Sequence, residues 1–157
     1  MRASLLLVAT IFAGCRGTGR PAATPSPDSG GAALTRLMTA QLERAAADWN
    51  RGDLDSFLSD YAAESTTTYV DGRRARAGID FIRGVYAPRF SPGAHRDSLH
   101  FEEVKVRRLS RTLTLVTARF ILQRSSTISA SGPFTLVMEQ RPEGWKILHD
   151  HSSSDPR

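Results

Sequence analysis

In the body of the chain, apolar side chains recur every three or four positions at Leu34, Met38, Leu42, Ala45 and Trp49. That spacing puts them on one stripe of a helix, with Thr35 a suitable N-cap and Asn50-Arg51-Gly52 a stop. Asp53 predicts the cap of a short second helix burying Leu54, Phe57, Leu58 and Tyr61. The pattern turns β-branched and aromatic over Thr66 to Val70, and Asp71-Gly72 suits a tight hairpin turn. Helical spacing returns from Gly78 to about Phe90 through Ile79, Ile82, Val85 and Tyr86, until Pro92-Gly93 breaks it.

The remainder reads as strands: Leu99 to Leu109, Thr112 to Arg124, Ser126 to Arg141 and Trp145 to Ser152, the last two separated by a Pro142-Glu143-Gly144 turn. Helix, helix, hairpin, helix and a four-strand meander define an α+β domain, helices on one face of a curved, mostly antiparallel sheet.

Ahead of this lies a different composition. Arg2 precedes the ten-residue apolar run Leu5 to Gly14, the length of a signal-peptide core and too short to span a bilayer. The only cysteine, Cys15, follows it at once. Phe12-Ala13-Gly14-Cys15 resembles the bacterial lipobox, except for phenylalanine where leucine is usual. The resemblance implies cleavage after residue 14, a lipidated Cys15, and a protein held in the cell envelope facing the periplasm or exterior. Arg16 to Ala33, rich in Gly, Pro, Ser and Thr, reads as a tether with a reach of roughly 25 Å. The expected layout is thus a signal peptide over 1–14, anchor and linker over 15–33, one domain over 34–154 and a tail over 155–157.

The 157 residues carry a net charge of +5, but the densest basic clusters, Arg73 to Arg76 and Lys105 to Arg108, are short and lack interleaved aromatics. A solvated surface fits them better than a nucleic-acid interface. No glycine-rich phosphate loop, serine elbow or paired-carboxylate motif is present, and nothing in the chain points to a cofactor.

Asn50-x-Gly52-Asp53 between two helices, together with the ending Gly144-Trp145-Lys146-Ile147-x-His149, resembles the nuclear transport factor 2-like superfamily, nearest its SnoaL-like and ketosteroid-isomerase-like branch. The resemblance runs from about Leu34 to Ser154 and implies a cone: three helices on a curved sheet round a pocket, often dimeric through the sheet. The isomerases of that branch use an aspartate base and a tyrosine donor. Those positions fall on Tyr69 and Ala45 here, so the resemblance does not bring that mechanism. The ending is also similar to the association domain of calcium/calmodulin-dependent kinase II, an assembly hub, through Trp145-x-x-x-His149-x-His151 and Arg119.

Strand alternation predicts Trp145, Ile147, His149 and His151 on one face, with Lys146, Leu148 and Asp150 on the other. Three readings of the histidine pair stand open. They are a metal site short of further ligands, a polar pocket wall, or groups satisfied within the sheet or a dimer interface. Arg119 and Glu139 suggest a buried pair with each other or with a histidine, or else an exposed ladder pair. The expected pocket comprises Trp49, Tyr61, Tyr69, Tyr86, Phe101, Arg119, Gln123, Glu139, His149 and His151, holding a small, partly polar molecule without catalysis. An isomerase- or hydrolase-like enzyme using a pocket histidine, and a purely structural homodimer, are the alternatives.

Overall fold

The computed structural model describes residues 29–71 and 74–156. The signal-like run, Cys15, most of the linker, and Gly72 and Arg73 of the hairpin turn lie outside the described residues. Nine elements follow in order: α1 (Ser29–Arg51), α2 (Leu54–Leu58), β1 (Thr68–Val70), β2 (Ala75–Ala77), α3 (Ile79–Phe90), β3 (Ser98–Arg108), β4 (Leu113–Arg124), β5 (Thr127–Arg141) and β6 (Gly144–Ser152).

The first helix begins earlier than its apolar pattern. Ser29 to Ala33 are helical, so Thr35 is not a cap; its hydroxyl donates to the Gly31 carbonyl one turn back. The stripe Leu34, Met38, Leu42, Ala45 and Trp49 is buried as its period requires. Gly52 ends the helix with φ of +82°, its N–H donating to the Trp49 carbonyl while Asp53 N–H reaches the Asp48 carbonyl. This pair of bonds satisfies the last orphan carbonyls, and the left-handed turn explains the glycine. Asp53 then accepts the Ser56 N–H at 2.9 Å and starts α2.

Asn50 has a separate task. Its side chain accepts the Leu99 N–H at 2.7 Å and donates to the Leu99 carbonyl at 2.9 Å, fixing the end of α1 to β3. The Asn-x-Gly-Asp signature therefore joins two helices and a strand within four residues.

The six strands form one sheet in the order β2-β1-β6-β5-β4-β3. Every neighbouring pair is antiparallel except β1 with β6, which run parallel. The sheet is curved and unclosed, with α1 packed against β3. Met38, Ile82 and Val116 are fully buried between the layers. No helix among the described residues is long and apolar enough to cross a membrane.

One irregularity decides which side chains face the cone. Val137 pairs with His149, but Met138 pairs with Ile147, so Leu148 is an extra residue in β6. Such a bulge advances the side-chain alternation by one. Trp145 and Ile147 point inward, and beyond the bulge so does Asp150, only 4% exposed. His149 and His151 point outward. The sequence expectation placed them with Trp145 and Ile147, and the bulge corrects it.

Candidate functional site

Between the helices and the concave sheet face lies a cavity of about 270 Å³. Trp49, Phe57, Tyr69, Tyr86, Phe101 and Phe120 give it aromatic walls, with Leu42, Leu99, Leu136 and Met138 among them. The rings interlock edge to face: Trp49 lies 6.2 Å from Tyr86 and 5.6 Å from Phe57, and Phe101 lies 5.3 Å from Phe134. The indole N–H of Trp49 donates to the Asp97 carbonyl at 2.9 Å, so this ring is held at its polar end as well.

At the cavity wall on β6 sits Asp150. Tyr61 donates its hydroxyl proton to Asp150 Oδ2 at 2.6 Å, and Ser152 donates to Oδ1 at 2.9 Å. Tyr86 Oη is 3.4 Å from Tyr61 Oη, and the Tyr69 ring lies 5.8 Å from that of Tyr86. The result is one carboxylate backed by three tyrosines inside an apolar enclosure. Burial raises the Asp150 carboxyl above the ordinary carboxylate range, although Tyr61 and Ser152 oppose this by hydrogen bonding to its ionised form. Burial, with Asp150 next, pushes the Tyr61 and Tyr86 hydroxyls well above 10, so both remain neutral donors at ordinary pH.

A second buried carboxylate borders the same cavity. Asp60 Oδ1 accepts from Gln41 Nε2 at 2.9 Å and from Arg44 at 2.5 Å, and Gln41 also donates to the Trp145 carbonyl. Burial raises Asp60, and the Arg44 charge opposes that shift. Because Asp60 has a cation and Asp150 has none among the described residues, the two carboxylates are chemically distinct.

Of the residues predicted for the pocket, Trp49, Tyr61, Tyr69, Tyr86 and Phe101 line the cavity. The other five lie elsewhere. Arg119 pairs with Asp155 of the tail rather than with Glu139 or a histidine. Glu139 accepts from Arg141 Nε at 2.9 Å, and Arg141 also reaches Glu64. Gln123 donates to the Ser125 carbonyl. His149 meets Thr68 Oγ1 at 2.6 Å, and its ring lies 6.4 Å from that of His151 on the outer face. Among the described residues no group of three or more His, Cys, Asp or Glu side chains could hold a metal ion. Ala45 and Tyr69, which stand at the isomerase positions of the resemblance, both face the cavity.

Asp150, Asp60, Gln41, Arg89, Asp71 and Ser152 to Ser154 border the cavity without having been singled out. Asp71 is exposed, yet borders the cavity. The one available signal for Asp150 was a lone carboxylate in the strand that pairs with Tyr69, and that register was not readable.

A curved six-stranded sheet with helices enclosing an apolar pocket defines a nuclear transport factor 2-like cone. The chain belongs to the SnoaL-like domain family, whose profile matches residues 38–156. Among solved structures it is similar to a nuclear transport factor 2-like protein of unknown function from Shewanella oneidensis. That match has 26% identity and a TM-score of 0.65, covering 78% of this chain and 98% of that one. A candidate calcium/calmodulin-dependent protein kinase II association domain from Xanthomonas campestris matches at 19% identity and TM-score 0.60, with 78% and 88% covered. A candidate ketosteroid isomerase from Parabacteroides distasonis matches at 17% identity and TM-score 0.61, with 78% and 88% covered. No curated protein matches the chain.

Proposed function

We propose that the cone cavity binds a small, mostly apolar molecule bearing a carbonyl, and that Asp150 moves a proton on it. The observation that carries this reading is the placement of Asp150: buried, facing the cavity, and lacking an ion-pair partner among the described residues. A buried carboxylate without a cation costs stability, and a passive apolar pocket has no use for one. A base with a raised pKa is also better matched to proton transfer near neutrality than an ordinary aspartate.

The step follows from the hydrogen bonds. Ionised Asp150 takes a proton from the carbon beside the ligand carbonyl, and the C–H electron pair passes to the carbonyl oxygen as an enolate. Tyr61 has its own proton committed to Asp150, so the hydrogen bond to that oxygen comes from Tyr86 or Tyr69. Returning the proton to the same or an allylic carbon regenerates the carboxylate and leaves an exchanged or isomerised product. This replaces the pocket-histidine mechanism, because His149 and His151 lie across the strand from the cavity.

Deuterium exchange into the methyl group of acetophenone, followed by proton NMR in D2O, tests the reading. Wild-type protein is expected to accelerate exchange, Asp150→Asn to abolish the acceleration, and Tyr61→Phe to reduce it. Equal exchange by Asp150→Asn would sink the proton-transfer role.

Two further elements of the proposal come from the sequence. Lipidation of Cys15 would hold the domain at an envelope membrane, testable by the intact mass of the mature N-terminus. Pairing of two copies through the outer sheet face, where Val70, Val137, His149 and His151 stand together, would give a homodimer. A monomer in sedimentation analysis at micromolar concentration would overturn that pairing.

A further inference from the structure

Arg89 stands in the last turn of α3, at the rim of the cavity that Asp150 faces from within. Its guanidinium lies over the Trp49 ring, 5.9 Å from the ring centre. Six described arginines are matched by a carboxylate: Arg44 by Asp60, Arg51 by Asp48, Arg83 by Asp55, Arg119 by Asp155, Arg124 by Asp97 and Arg141 by Glu64. Arg89 is in no ion pair with any described residue, and it is the one such arginine that borders the cavity. A delocalised cation stacked on an indole keeps its N–H edge available, and that edge suits a carboxylate.

We propose, resting on the proton-transfer reading above, that the ligand is a small carboxylic acid: its carboxylate docks on Arg89 at the rim and its carbonyl carbon lies inward beside Asp150. The body between them contacts Trp49, Tyr86 and Tyr69. Both ends border the same cavity, with Tyr69 on its wall as well. A cavity of about 270 Å³ favours a short keto acid over a long-chain acid or a sterol-sized ligand.

Asp71 belongs to the same rim, where it accepts the Arg74 N–H at 3.2 Å. The ligand carboxylate docks on the α3 side, where the Trp49 face and Arg89 meet. A rim arginine of this kind selects by charge rather than by shape, and its contribution falls as salt is added.

The test uses the purified full chain and a neutral fluorescent occupant, N-phenyl-1-naphthylamine, displaced by 4-oxo-4-phenylbutanoate or by its methyl ester. The acid is expected to displace the dye at least tenfold more effectively than the ester, with the gap shrinking in 1 M salt. Arg89→Gln should lower affinity for the acid to that of the ester while leaving the ester unchanged. Arg89→Lys should keep part of the preference. Equal displacement by acid and ester in wild type overturns the carboxylate assignment but leaves the pocket and its proton-transfer reading intact. So does dye binding that neither compound disturbs. Failure of the dye itself to bind would remove the pocket reading and this inference together. An acid preference that survives Arg89→Gln would place the anion elsewhere and equally overturn it.

Discussion

Asp150 and His149 are consecutive residues of β6 on opposite faces of the sheet, with Asp150 in the cone and His149 against Thr68 outside it. The single extra residue at Leu148 determines which of the two can reach a ligand. Several measurable consequences follow from that arrangement and from the contacts around it.

Stability should depend on pH through Asp150. Burial raises its pKa above 3.8 in the folded protein, so between pH 3.8 and that raised value the folded state holds a proton that the unfolded chain has released. Its contribution is fully present below pH 3.8 and is lost as pH rises through the folded value. Asp150→Asn removes the titration. Urea unfolding at stepped pH should show wild-type stability declining relative to Asp150→Asn over that window and a constant difference above it. The raised Asp60 carboxyl is common to both proteins and cancels in the comparison.

The outer histidines should be irrelevant to the cavity. His149→Ala and His151→Ala are expected to leave displacement of the naphthylamine dye within twofold of wild type, because neither side chain borders the cavity. A tenfold loss in either variant would mean that the bulge does not persist in solution.

Asn50→Ala should destabilise the fold by about 2 kcal/mol, since it leaves both the N–H and the carbonyl of Leu99 without their side-chain partner. Asn50→Asp should restore only the acceptor half. Chemical denaturation of both variants measures the two halves separately.

Among the described glycines, Gly132 leaves the least room for a side chain. A methyl group there would overlap the Ser153 carbonyl oxygen and come within 2.8 Å of its carbon and 3.0 Å of Ser154 Cα. Those contacts are backbone, so no side chain can swing aside. Gly132→Ala should cost about 2 kcal/mol and displace Ser153 and Ser154 from the cavity wall. The expected signature is a lowered urea midpoint together with weaker dye binding.

The architecture was legible because its signals were local and periodic. The stripe from Leu34 to Trp49, the Asp53 cap and the four long β-rich runs each report on a neighbourhood of a few residues. The start of α1 was hidden because Ser29 to Ala33 carry no large apolar side chain to mark a face. The aromatic cavity wall was legible for the same reason as the core: Trp49, Tyr61 and Tyr86 sit on predicted helical stripes or just beyond them. The polar wall was not. Asp150 turns inward through a bulge that depends on the fit between β5 and β6, and strict alternation assigns it to the wrong face. Arg119 and Glu139 escaped for a related reason, since their partners Asp155 and Arg141 are set by where the tail and the turn run.

The parallel pairing of β1 with β6 bears on how the chain is made. Thr68 to Val70 emerge from the ribosome long before His149 to His151, yet these residues are each other's neighbours in the sheet. Until the final nine-residue strand has been synthesised, the β1–β2 hairpin has no sheet to join, and Tyr61 has no carboxylate to receive its proton. The nascent domain therefore waits with an open apolar face, and the cone can close only once β6 has been made. A chain cut short before Gly144 would lose the centre of its sheet rather than an edge.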